Sequence, residues 1–270
     1  MSWTVRCPAK VNLFLAVGAK DRRGYHPLRT IFQAIDLCDE LRIEVATENF
    51  VTCDDPSVPS DNTLTKTLRL LREVVNLPPL HVHLVKNIPS EAGLGGGSSD
   101  AAGLIRATQV ISRQTFPTAE MFGLAQTIGA DVPFFLVGGL ARAEGYGEKL
   151  TPLPNPQKET IVVVKPNVAC GTAKMFEQLD ATTYNWHDFP SDDRLYNDFE
   201  RVAPCESLEL IERLQIHGAR DSGLTGSGSA VFGRFLDADA ANAAVKALAA
   251  ESDARAWVCQ TMTREESLFI

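Results

Sequence analysis

The chain has 270 residues, 44% hydrophobic and 22% charged, a composition of a globular protein with room for one large domain or two ordinary ones. A formal net charge of −8 argues against nonspecific binding to nucleic acid or to an anionic membrane, since no overall positive field draws them in. No apolar run is long enough to span a bilayer.

Lys10 to Gly18 reads as a strand, with apolar alternation at Val11, Leu13, Leu15 and Val17. A turn-rich patch at Asp21 to Gly24 precedes a second strand through Thr30 to Leu37, and Leu41 to Ala46 alternates again. The stripe Leu64, Leu68, Leu71 and Val75 predicts a helix over Asn62 to Val75. Leu80 to Val85 alternates as a strand that puts His81 and His83 on one face, a spacing that suits metal but suits a solvated strand face better. A helix is expected from Asp100 to about Ser112, and another over Thr118 to Ile128 with Gly129 as its stop. Asp131-Val-Pro-Phe-Phe and the glycines at 138 and 139 lead into strand-like sequence.

Prolines at 152, 154 and 156 mark Thr151 to Lys158 as the best domain boundary. Beyond it come a buried strand at Thr160 to Val164 and an irregular polar stretch over 180 to 198. A glycine-serine turn at 226 to 229, a strand to Phe235, an alanine-rich helix Ala238 to Ala250 capped by Asp237, and a strand near Ala256 to Thr261 complete the chain. Strands and helices mix without strict alternation, which predicts an α+β fold.

The stretch Gly93-Leu-Gly-Gly-Gly-Ser-Ser-Asp carries the most chemistry. Gly95, Gly96 and Gly97 lack Cβ atoms where a bulky anion could approach, and Ser98 and Ser99 offer hydroxyls and cap chemistry to the helix that follows. Free N–H groups and the positive end of the helix dipole make such a start a phosphate cradle. It is neither a Walker A loop, for want of Lys-Ser/Thr after the last glycine, nor a dinucleotide fingerprint, because the sixth position from Gly93 is Ser98 and from Gly95 is Asp100.

Asp131 lies in sequence that wants burial, where a carboxylate needs a partner or caps a turn. Lys10 stands alone at the start of an apolar strand, a place where lysine often guards a sheet edge. Beside a phosphate loop the two resemble a phosphoryl-transfer set. Leu224-Thr-Gly-Ser-Gly-Ser-Ala is ordinary hairpin chemistry by itself, but could add N–H donors to a phosphate. The six cysteines, at 7, 38, 53, 170, 205 and 259, include no Cys-x-x-Cys pair and suit a reducing cytoplasm better than a disulfide or zinc framework. The opening residues lack the pattern of a signal or transit peptide, which adds to the expectation of a cytoplasmic protein.

Three stretches resemble, in order, the motifs of the GHMP kinases: Pro8-Ala-Lys-Val-Asn-Leu, Pro89-Ser-Glu-Ala-Gly-Leu-Gly-Gly-Gly-Ser-Ser-Asp-Ala-Ala and Leu224-Thr-Gly-Ser-Gly-Ser-Ala. Gly24-Tyr-His-Pro-Leu and Gly129-Ala-Asp-Val-Pro-Phe-Phe resemble the branch that phosphorylates 4-diphosphocytidyl-2-C-methyl-D-erythritol, and the likeness runs from about 5 to 262. It implies two α+β domains, here 1–157 and 158–270, with the active site in the cleft between them. It also implies transfer of the ATP γ-phosphoryl to the substrate 2-hydroxyl, with Mg²⁺, in non-mevalonate isoprenoid synthesis. Asp131 and Lys10 match the catalytic pair.

Gly93, Leu94, Gly95, Gly96, Gly97, Ser98 and Ser99 would hold the ATP phosphates, and Asn62, Leu64 and Lys86 the adenosine. Asn12 would hold the acceptor polyol. Tyr25, His26 and, on the other face, Phe176 would hold the cytosine, with the His26 imidazole bonding its edge. Thr172, Gly226, Ser227 and Gly228 complete the expected acceptor side.

The resemblance assigns no metal ligand securely and leaves the oligomeric state open between monomer and homodimer. Ser90-Glu91-Ala92 and Gly171-Thr172-Ala173 depart from the family pattern, and Glu91 brings a negative charge near a phosphate site. Other GHMP acceptors (homoserine, mevalonate, a sugar) fit less well because they carry no base for Tyr25 to stack on. A non-catalytic nucleotide sensor would not need Lys10 and Asp131 intact.

Overall fold

The computed structural model describes residues 2–114, 118–155, 157–184 and 186–269. Two long strands, β1 (Ser2–Val17) and β2 (Leu28–Val45), pair antiparallel and form the spine of the larger sheet. Both extend beyond the expected strands. Pro8, which has no N–H to give to a ladder, is accommodated where the register shifts between Pro8 and Ala9, and a second shift lies between Asn12 and Phe14.

These shifts decide which side chain faces where. Val5 and Cys7 pack into the core beneath the helices, whereas Ala9 and Val11 turn to the core between the two sheets. A one-residue slip exchanges the faces of a strand, so Lys10 comes to the helix side, 5.4 Å from the Phe32 ring centre.

The short β3 (Phe50–Cys53), not anticipated from the sequence, follows, then α1 (Thr63–Val74) and β4 (Leu80–Val85). The capping box of Asn62 and Thr65 starts α1, and Leu64, Leu68 and Leu71 are its buried stripe. Next come α2 (Gly96–Ser112), α3 (Thr118–Ile128), α4 (Val132–Val137) and the hairpin β5 (Leu140–Glu144) and β6 (Lys149–Pro152). Two expectations are corrected here. Helix α2 begins at Gly96 rather than Asp100, because Gly95 takes a left-handed conformation (φ 74°) that turns the chain straight into the helix. The run after Asp131 is a short helix, opened by Pro133 near its start, before the strand begins.

The second half holds β7 (Thr160–Lys165), α5 (Thr172–Asp180), β8 (Tyr196–Asn197) and α6 (Cys205–Ile216). It continues with β9 (Asp221–Leu224), β10 (Val231–Phe235), α7 (Ala238–Glu251), β11 (Arg255–Gln260) and α8 (Arg264–Leu268). The sequence pattern announced neither α5 nor α6. Asp237 caps α7 as expected, accepting the Ala240 N–H at 2.9 Å.

Among the described residues, seven strands form one sheet along β3-β4-β2-β1-β8, with β5 on β2 and β6 on β5, and four form a second, β11-β7-β10-β9. The chain passes between the sheets after Pro152 and returns once, at β8, which runs parallel to β1. Among the described residues, no helix is long and apolar enough to cross a membrane.

Helix α2 lies directly on β1. Arg106 is buried there and donates to the carbonyls of Phe135 (2.8 Å) and Arg6 (3.2 Å), tying α2 to α4 and β1. A Cβ on Gly103 would stand 2.4 Å from the buried Cys7 Sγ. An alanine here gains up to about 1 kcal/mol of helix propensity, but overpacking costs about 1–3 kcal/mol, so the clash wins. Gly103→Ala is therefore expected to lower stability in urea unfolding, and adding Cys7→Ala should restore most of the loss. No recovery in the double variant would show that the contact is not the cause.

Candidate active site

Lys10 is nearly fully buried, yet its ammonium is well served. Nζ donates to Asn12 Oδ1 at 2.6 Å and to the Gly93 carbonyl at 2.6 Å, and lies 3.9 Å from Asp131 Oδ2. Burial pulls the Lys10 pKa below the usual lysine range, and the Asp131 carboxylate pushes the other way. The edge-guard reading of Lys10 fails, because its side chain is buried and its backbone N–H is taken by the Leu94 carbonyl of the glycine loop at 3.0 Å. The turn-cap reading of Asp131 fails too: it precedes α4 without a side-chain cap bond, and its side chain is 35% exposed.

The first and third motifs clasp the second. Asn12 Oδ1 also accepts from the Gly226 N–H (2.9 Å) and Thr225 Oγ1 (3.3 Å), while its Nδ2 donates to Thr30 Oγ1 at 2.7 Å. The Asn12 carboxamide, expected to serve the acceptor polyol, is thus occupied in joining three segments. Thr225 Oγ1 also reaches the Gly93 carbonyl at 3.2 Å. Gly93 (φ 73°) and Gly226 (φ 54°) face each other so closely that a Cβ on Gly93 would lie 2.1 Å from the Thr225 carbonyl oxygen. The sequence Leu224 to Ala230 is indeed the β9–β10 hairpin loop, and it packs on the glycine loop as well.

Lys10, Asn12, Thr30, Gly93, Asp131 and Gly226 border one cavity of about 1690 Å³, well above the 300–1,000 Å³ usual for a single ligand. Along its floor run Gly93, Leu94, Gly95, Gly96, Gly97 and Ser98, with the unpaired first N–H groups of α2. Ser99 and Gly228, expected in the site, do not line it. Because α2 starts early, Ser99 is already inside its first turn, buried, with its N–H given to the Gly95 carbonyl at 2.9 Å, and Gly228 is folded under the hairpin loop with its N–H on Thr225.

Asn62, Leu64 and Lys86 do border the cavity. The Asn62 side chain is spent on capping α1, and Leu64 is 2% exposed, so both also hold the wall together. The Lys86 ammonium contacts Asp39 and lies 2.9 Å from where a Cβ on Gly96 would stand.

At the other end the cavity meets aromatic groups. Tyr25 is 65% exposed and meets Tyr146 edge-on at 5.8 Å. Tyr146 Oη donates to Asp21 Oδ2 (2.5 Å), and Asp21 Oδ1 accepts the N–H groups of Arg23 (2.9 Å) and Tyr25 (3.1 Å), which shapes the turn. His26 is placed otherwise than expected. Its ring stacks on Phe176 at 5.0 Å, Nδ1 lies 2.9 Å from the Gly18 carbonyl, and the buried Nε2 faces Asp180 Oδ1 at 3.4 Å. Both ring nitrogens face protein groups, while the ring stacks on Phe176 and lines the cavity. Thr172, first in α5, meets Ser227 across the cavity, Oγ1 to Oγ 3.0 Å.

Tyr146, Asp180, Tyr184 and Thr225 were not among the expected site residues. Thr225 sits inside the third motif and could have been found there. Tyr146 and Asp180 carry no local pattern, because only the folded chain brings them to Tyr25 and His26. His81 and His83 share Thr52 Oγ1 as a hydrogen-bond partner on a strand face, and among the described residues no cluster of three or more His, Cys, Asp or Glu is arranged to hold a metal.

The GHMP kinases N terminal domain model matches residues 62–139, and the GHMP kinases C terminal model residues 199–254. The 4-diphosphocytidyl-2-C-methyl-D-erythritol kinase of Polaromonas naphthalenivorans (strain CJ2) is 36% identical over a 268-residue alignment that covers 89% of this chain and 89% of that one. A crystal structure of 4-(cytidine 5'-diphospho)-2C-methyl-D-erythritol kinase matches with a TM-score of 0.83 at 33% identity, over 96% of this chain and 99% of that chain. A homoserine kinase structure from Cytophaga hutchinsonii matches with a TM-score of 0.70 at 18% identity, over 97% and 95% of the two chains, which shows a shared fold. With motifs, cavity and relatives in agreement, the chain belongs to the 4-diphosphocytidyl-2-C-methyl-D-erythritol kinase family of the GHMP kinases.

Proposed function

We propose that the chain transfers the γ-phosphoryl group of ATP to the 2-hydroxyl of 4-diphosphocytidyl-2-C-methyl-D-erythritol, a step of non-mevalonate isoprenoid synthesis. The observation that carries this reading is one cavity with a helix-terminal anion cradle at one end, aromatic walls at the other, and Lys10 with Asp131 between. Its size suits two ligands end to end. The division into units 1–157 and 158–270 goes with this reading, each contributing one side of the cleft. The six free cysteines support a reducing, cytoplasmic setting.

The donor phosphates lie on the N–H groups that open α2, where partial positive charge is fixed in advance. Gly95 and Gly96 let the loop lie against Phe135 and Ile88, where a Cβ would not fit, and so fix the position of those N–H groups. Tyr25 and Phe176 take the pyrimidine between them, and His26 stacks on Phe176. Asp131 accepts the proton of the acceptor hydroxyl as its oxygen bonds to the γ-phosphorus, and the bond from phosphorus to the β–γ bridging oxygen breaks to release ADP. Lys10, 3.9 Å away, fixes the direction of that carboxylate.

Mg²⁺ fits a site of this kind, because it keeps several waters and rides on nucleotide phosphates, needing one or two carboxylates rather than a protein cage. Asp131, whose side chain borders the cavity, would help hold it. When bound, it neutralises charge on the transferring group.

Asp131→Asn should keep ATP binding and lower kcat by about 10²–10⁴-fold, measured as ATP consumption with the cytidylated acceptor. Full activity would remove Asp131 from the chemistry. If the wild type binds ATP but phosphorylates no acceptor, a sensor role takes over, and turnover of homoserine or mevalonate instead would reassign the acceptor.

Tyr25 is exposed enough to be removed without unfolding the chain. Tyr25→Ala should raise the acceptor KM by about ten- to a hundredfold, the worth of one base–aromatic stack, and leave the ATP KM unchanged. Equal shifts in both constants would contradict a role confined to the base.

A further inference from the structure

Beneath the glycine loop lies a cluster of charges that the phosphoryl-transfer step does not use. Asp39, on β2, is fully buried and richly supplied with donors. Its Oδ1 accepts the N–H groups of Asn87 (2.6 Å) and Ile88 (2.7 Å), and its Oδ2 receives the Lys86 ammonium. Asp100 faces it from α2, one turn after Gly96, and is only 2% exposed. Asp100 Oδ1 is buried without any hydrogen-bond partner among the described groups.

Two carboxylates in contact inside a protein cannot both stay ionised when one ammonium serves them. The donors decide which of them holds the proton. Asp39 accepts from three, and Asp100 accepts from none among the described groups. Burial, and then the Asp39 charge, push the Asp100 carboxyl well above the usual range, in line with the hydrogen-bond count. Cys7 on β1 is a further titratable group facing it, and burial pushes the Cys7 thiol well above its usual range.

A neutral Asp100 makes sense of Lys86. With one carboxylate charge in the cluster, Asp39 balances the ammonium and holds it against the first turn of α2, next to Gly96. A second carboxylate charge would draw the ammonium inward and put net negative charge under an anion-binding helix start. We propose that Asp100 is a positioning residue that works as an unionised carboxylic acid, donating its proton to Asp39 so that Lys86 stays over the α2 N-terminus to meet the donor phosphates. This rests on the kinase reading above.

Asp100→Asn keeps the shape and a donor without the charge, and Asp100→Ala removes both. The expected result is an ATP KM within about threefold of wild type for Asp100→Asn, and about tenfold or more higher for Asp100→Ala, the worth of a hydrogen bond to a charged group, with the acceptor KM unchanged in both. Infrared spectroscopy of the wild type near neutral pH should show an unionised carboxylic acid band that is missing from Asp100→Asn. Subtracting the variant separates this band from Glu200, a half-buried carboxyl whose pKa burial also raises.

The proposal is overturned if Asp100→Asn is as impaired as Asp100→Ala, if it fails to fold, or if no such band is lost. Should only Asp100→Ala fail to fold, the infrared comparison decides by itself. Wild-type protein that shows the band and binds ATP, yet phosphorylates no acceptor, would count against the kinase reading and leave the proton assignment standing.

Discussion

A buried ammonium organises this molecule. Lys10 has lost almost all its water, which costs several kcal/mol unless other groups replace the hydration. They come from three separate segments: the Asn12 carboxamide on the same strand, the Gly93 carbonyl of the glycine loop, and the Asp131 carboxylate ahead of α4. Satisfying one charge thus fixes three loops relative to one another. Asn12 extends the arrangement to the β9–β10 hairpin, so the second sheet is drawn into the same network.

The glycines follow from that closeness. Where the loop of the first sheet meets the hairpin of the second, carbonyl oxygens take the space a side chain would need, and Gly93 and Gly226 both stand in left-handed conformations. Gly95 has a further duty, since a Cβ there would strike the Phe135 ring at 2.8 Å. The glycine loop is the visible side of a tightly packed junction, where close packing imposes the residue type.

The aromatic end is built on other terms. Here the two halves of the chain meet through side chains: His26 on Phe176, Tyr184 Oη 3.4 Å from His26 Nδ1, and Lys20 reaching the Asp180 carboxylate at 3.1 Å. The polar stretch after α5 shields the base of this turn, with Trp186 against Gly18 and the Arg29 guanidinium over the Trp186 ring. Ion pairs exposed at a rim contribute little stability, so their value lies in aligning the walls of a pocket.

What could be read directly from the residues was local or motif-bound. Apolar periodicity identified α1 and most strands, a glycine stop marked α3, alanine content with an aspartate cap marked α7, and the short motifs singled out the glycine loop, Lys10 and Asp131. Helices α5 and α6 escaped because their buried residues, Met175 and Leu179 or Leu210 and Leu214, are too few to make a stripe. The early start of α2 depends on a backbone angle at Gly95 that glycine permits but does not announce. Which way Lys10 points was settled by a bulge at Pro8, and whether His26 offers its ring nitrogens to a ligand by Gly18 and Asp180, residues 8 and 154 positions away in the chain. Residue types and their spacing determined the chemistry available to this protein. Burial, register and the choice of partner for each polar group were decided by the tertiary structure, because they depend on which distant segment excludes the water.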